Sequence, residues 1–85
     1  MTYEVVATWN PLPSDEEKET LIDLAIQWMA LGKTNSPTAV LDYPNGYPDV
    51  PLIAIRTFTT QADAEEWVAF LQTQPTIPES VEIVN

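Results

Sequence analysis

Arg56 is the only arginine in a chain of 85 residues that carries 13 acidic side chains and a net charge of −10. Its guanidinium is a planar fork of donors, and such a fork grips a carboxylate through two parallel hydrogen bonds. One chemistry open to it is to clamp the anionic end of a small molecule. The ordinary role of a strand arginine is an ion pair with a neighbouring strand or across an interface, and Glu4 and Glu82 are placed for that. Four rings, Tyr3, Trp9, Trp28 and Tyr43, are candidates to line a cavity with Arg56 or Glu82 at its mouth. Rings at strand or helix spacing also build plain cores, so the two readings part on whether a void lies beside them.

Cysteine and histidine are both absent. Disulfides, thiolate metal sites, cysteine nucleophiles and the commonest general base are thereby excluded. Asp15, Glu16, Glu17 and Glu19 form an acidic cluster without the alternating spacing and glycine of a calcium loop. Carboxylates in a first helical turn answer the helix dipole instead. Asp42, Asn45 and Asp49 around a proline-rich turn fare no better, so neither metal nor cofactor is expected. Tyr47, at the rigid tip of that turn, is a contact residue at most.

A surface this acidic repels phosphate backbones and anionic membranes, so no nucleic-acid or membrane partner is expected. An acidic mimic of nucleic acid would hold its charges in rows, and these are scattered over several elements. The opening Met-Thr-Tyr-Glu lacks the basic and apolar regions of a signal peptide, and no apolar run approaches ~20 residues. The expectation is a soluble cytoplasmic protein.

The elements that must position these residues are legible from periodicity. Tyr3 to Trp9 alternates with period two and contains β-branched residues, which predicts a strand. Asn10-Pro-Leu-Pro13 breaks it, and Ser14 with Glu17 forms a capping box at the start of a helix over 15–31. Gly32 supplies the left-handed stop. Thr38 to Tyr43 predicts a second strand, Pro44-Asn45-Gly46 a turn, and Leu52 to Phe58 a third strand. Thr60 with Asp63 caps a second helix, whose Ala64, Trp67, Val68 and Leu71 recur at helical spacing. Pro75 and Pro78 end that segment, and Val81 to Val84 makes a last short strand.

Two right-handed βαβ units interleave into a ferredoxin-like α+β fold, βαββαβ, as a single domain over 1–85. The sheet is antiparallel with order 4-1-3-2, and both helices lie on one face. Because an unpaired buried charge is costly, Glu4, Asp42, Arg56 and Glu82 are all expected to point away from the helices. That puts Tyr3, Val5, Ala7, Ala39, Leu41, Tyr43, Ile53, Ile55, Val81 and Ile83 under them. The open face then carries six apolar residues, Val6, Val40, Leu52, Ala54, Phe58 and Val84, among twelve. So apolar a face is expected to pack on something. The apolar arc of the first helix, roughly 220°, is also wider than one sheet requires.

Element order, length, and the run Arg56-Thr-Phe-Thr-Thr-Gln-Ala-Asp-Ala-Glu-Glu-Trp67 resemble the dimeric α/β-barrel group, whose members close two such sheets face to face. The resemblance implies a homodimer joined through the open sheet face. The chain lacks the paired cysteines of heavy-metal carriers resembling this topology and the glycine-rich phosphate loop of acylphosphatases. RNA-recognition domains need exposed strand aromatics on a basic surface, and only Phe58 is assigned to the open face. The reading is a non-catalytic homodimeric interaction or structural module. The alternative is a small-molecule-binding or cofactor-independent oxygenase-type barrel protein with its site at Arg56 and the inner aromatics.

Overall fold

The computed structural model describes residues 2–34 and 39–85. Six elements follow one another: β1 (Tyr3–Trp9), α1 (Asp15–Ala30), β2 (Val40–Asp42), β3 (Leu52–Phe58), α2 (Gln61–Leu71) and β4 (Ser80–Val84). The sheet is antiparallel with order β2-β3-β1-β4, which read from the other edge is the expected 4-1-3-2. This is the ferredoxin-like α+β fold. β1 and β3 match their predicted spans. β2 is shorter than the predicted Thr38 to Tyr43, and Thr38 lies outside the described residues.

Local chemistry sets the helix ends. Ser14 is extended (φ −66°, ψ 163°) and its hydroxyl accepts the Glu17 N–H at 3.2 Å, satisfying one orphan donor of the first turn. The reciprocal half of the predicted capping box is missing. Glu17 Oε1 instead accepts the Thr76 hydroxyl at 3.0 Å and so ties the start of α1 to the segment after α2. Gly32, at φ +77°, supplies the left-handed exit after Leu31. Thr60 caps α2 by accepting the Asp63 N–H at 3.1 Å.

The strand faces differ from expectation in one strand. Cross-strand partners share a face, and β1 pairs Tyr3 with Phe58, Val5 with Arg56, Ala7 with Ala54 and Trp9 with Leu52. Val5, Ala7 and Trp9 are buried, and so are Leu52, Arg56 and Phe58. The helix-facing side of β3 is therefore Leu52, Ala54, Arg56 and Phe58. Ile53 and Ile55 face the other way with Val6, Val40 and Val84. Leu52, Ala54 and Phe58 do not belong to the open face to which the charge rule assigned them. The rule failed because Arg56 is itself inside, 6% exposed, with its guanidinium carbon 4.9 Å from the centre of the Trp67 ring. A stacked guanidinium tolerates burial better than the rule allowed.

The two helices sit on the sheet differently. α2 packs directly on β1, β3 and β4, whereas no Cα of α1 comes within 8 Å of a Cα in another element. Trp28 sets that stand-off. Its ring meets Phe58 and Trp67 edge-on, at centroid distances of 5.8 and 5.3 Å. Beyond it the chain is latched down. Thr34 donates its hydroxyl to the Thr57 carbonyl at 2.6 Å, and the Thr59 N–H reaches the Lys33 carbonyl at 3.0 Å. Lys33 pairs with Glu66 at 2.8 Å, and the hydrogen bond it donates there holds the ammonium above its ordinary pKa.

Phe58 is fully buried, so Phe58→Glu is expected to unfold the domain rather than split an oligomer. Losing the ring costs about 3–5 kcal/mol before the buried carboxylate is counted, against a total stability of about 4–13 kcal/mol for 85 residues. Circular dichroism and urea melts check this. Ile55→Glu, on the opposite face of the same strand, is expected to keep the native spectrum.

Candidate functional site

Between the raised helix and the sheet lies a cavity of about 170 Å³. Its floor is the cross-strand pair Ala7 and Ala54, two side chains too short to reach α1. Trp9 and Leu52 stand beyond them at one end, Val5 and Arg56 at the other. α2 closes one wall with Trp67 and Leu71. Across from it, Ile22 and Leu41 are exposed and Lys18 is half-exposed, so the mouth opens between α1 and the β2 edge. A dry apolar cavity of ~150 Å³ accepts a benzene-sized guest, so this one has room for a ring or a chain of similar bulk.

Of the five residues assigned to a pocket from the sequence, Trp9 and Arg56 line it. Trp28 lies in the aromatic cluster that lifts the helix. Tyr3 packs on the core opposite Phe58, and Tyr43 meets Tyr47 edge-on at 5.1 Å outside the cavity. Leu52 and Ala54, assigned to an open face, are cavity residues instead. Sequence reasoning missed Lys18 and Trp67. The signal for Lys18 was present: Lys18, Leu21, Ile22 and Ala25 recur at helical spacing, which puts this lysine in line with the apolar stripe.

The site's electrostatics are lopsided. Lys18 and Arg56 are its only ionisable side chains among the described residues, in a chain where acids outnumber bases 13 to 3. Burial lowers the Arg56 pKa to about 10, which leaves the guanidinium protonated at neutral pH. The indole N–H of Trp9 is buried and meets no acceptor among the described residues. Each such orphan donor is unusual in a folded protein and costs about 1–3 kcal/mol.

Elsewhere the described residues hold no group of three acidic side chains able to bind a metal ion; Asp15, Glu16 and Glu17 lie in the first turn of α1. No described helix is long and apolar enough to cross a membrane. Compared with known protein families and with curated proteins, the chain matches none.

Replacing Arg56 by Met removes a buried charge at similar length. The relief of desolvation opposes the loss of the stacking on Trp67, about 0.5–2 kcal/mol, and of the other interaction Arg56 makes within the chain, so stability is expected to fall by no more than about 2 kcal/mol. Because the folded pKa lies below that of a free guanidinium, the burial penalty is present in full at neutral pH. It is relieved only as pH rises through about 10, where the folded state sheds the proton before the unfolded one. Urea melts are therefore expected to give a constant difference between wild type and Arg56→Met from about pH 6 to pH 9.

Proposed function

We propose that this chain is a non-catalytic small-molecule-binding protein that acts as a homodimer, built like members of the dimeric α/β-barrel group. The observation that carries the binding reading is the cavity above Ala7 and Ala54. A pure interaction module would fill that space with side chains. A small domain has little surplus stability to spend on an empty interior. Turnover would need a group beside the guest that passes a proton or attacks it. Among the described lining residues Lys18, half-exposed at the mouth, is the one side chain able to do so, with no hydroxyl, thiol or carboxylate beside it, which favours holding a molecule over oxidising it.

The dimer reading is supported by the composition of the open face. Val6, Val40, Ile53, Ile55 and Val84 alternate there with Glu4, Thr8, Asp42, Thr57, Ser80 and Glu82. Half apolar, it resembles an interface more than a water-facing sheet, and it leaves the ligand side free. The outer stripe of α1, with Ile22, Ile26 and Met29 exposed, is a second apolar surface outside that interface.

Toluene titrated into the ¹⁵N-labelled protein is expected to shift the Trp9 and Trp67 indole N–H resonances. Ala54→Leu, which raises the floor into the cavity, is expected to abolish those shifts while adding about 0.5–2 kcal/mol of stability. A wild-type spectrum indifferent to toluene would reject the binding reading. For the dimer, sedimentation equilibrium at micromolar concentration is expected to give twice the chain mass. Ile55→Glu, beside Val6 on the neighbouring strand, is expected to halve it without unfolding, and a monomeric wild type rejects the interface.

A further inference from the structure

We propose that the cavity takes a small apolar monocarboxylate, its hydrocarbon part over Ala7 and Ala54 and its carboxylate held by Arg56, with Lys18 at the mouth. This rests on the binding reading above and adds the charge and functional group of the ligand.

The polar groups of the lining point to that class. Four described lining side chains carry a nitrogen or oxygen: Trp9, Lys18, Arg56 and Trp67. Indole, ammonium and guanidinium are all donors that cannot accept a hydrogen bond. No serine, threonine, tyrosine, amide or carboxylate is among the described residues of the lining. A guest alcohol, amide or amine would bring a donor of its own and find no acceptor among the described side chains of the lining. A carboxylate brings acceptors alone and matches the set.

Charge selects in the same direction. Two of the chain's three basic residues line the cavity, and none of its 13 acidic residues does so among those described. The surrounding field is that of a −10 chain, so an anion is welcome only where the local cations reverse it. Arg56 already makes an interaction within the chain, and a group with five N–H donors can serve a second acceptor. Inside the cavity one guanidinium balances one negative charge, while the ammonium, half-exposed at the mouth, is screened by water. A phosphate monoester would bury a second charge against apolar walls. The size fits too: about 170 Å³ holds a benzene-sized hydrocarbon, with the head group reaching the cations.

Benzoate, benzamide and benzylamine share a ring and differ in the head group, and toluene carries none. Titrated against the labelled protein, benzoate is expected to bind at least about tenfold more tightly than benzamide, and benzylamine most weakly. Arg56→Met is expected to lose about tenfold in benzoate affinity and to keep its toluene affinity. Lys18→Gln, a helix-surface change that leaves the core intact, is expected to lose about threefold for benzoate alone. Benzamide or benzylamine binding as tightly as benzoate, with toluene still bound, overturns the carboxylate inference and leaves the pocket standing. Benzoate affinity unchanged in both variants overturns it as well. If toluene and benzoate both fail to bind, the pocket reading itself falls.

Discussion

The seating of one tryptophan governs this structure. Trp28 meets Phe58 and Trp67 edge-on, an arrangement in which the positive rim of one ring faces the negative face of another. Beside those rings Ala25 joins the core, with Leu21 and Leu24 packed against it. The latch just beyond, from Thr34 to Thr57 and from Thr59 to Lys33, holds the raised end in register with β3 and α2. At the other end, Glu17 is tied to Thr76. A helix held at both ends above a pair of alanines leaves a space beneath it.

That space has an energetic consequence. A sealed dry void of about 170 Å³ would cost up to roughly 4 kcal/mol at about 24 cal/mol per Å³, and the open mouth of this one makes its cost smaller. For a domain whose total stability is about 4–13 kcal/mol even part of that matters. Cavity, buried arginine and orphan indole N–H are three costs that meet at one place. Proteins concentrate such departures from good packing where they function, and the rest of the sheet must compensate. A guest in the cavity would fill the void, and a second chain on the open face would add burial that 85 residues provide sparingly.

Arg56 shows how a sound local rule can mislead. Charge belongs outside unless something stabilises it within, and β3 was phased on that basis. The phase of a strand is all or nothing, because side chains alternate with period two. Moving Arg56 inward carries Leu52, Ala54 and Phe58 with it and sends Ile53 and Ile55 outward. Both faces of β3 are apolar enough to be buried, so hydrophobicity alone did not decide between them. The phase taken sets the guanidinium by the Trp67 ring, whose position is a property of how α2 lies on the sheet.

Element order, the strand spans of β1 and β3, both helix N-caps and the Gly32 stop follow from the chain itself, since alternation, capping hydroxyls and left-handed glycine act within a few residues. The absence of histidine and cysteine likewise closes off much chemistry before any fold is known. Which face of β3 is buried, where Glu17 turns, and that Trp9 and Arg56 share a cavity while Trp28 and Tyr43 do not, were decided only in three dimensions. Those outcomes depend on rings and charges from elements far apart in sequence. The lone arginine is legible in the sequence as a group that can clamp an anion; that it stands inside, beside the Trp67 ring and a cavity under α1, depends on side chains from three elements far apart in the chain.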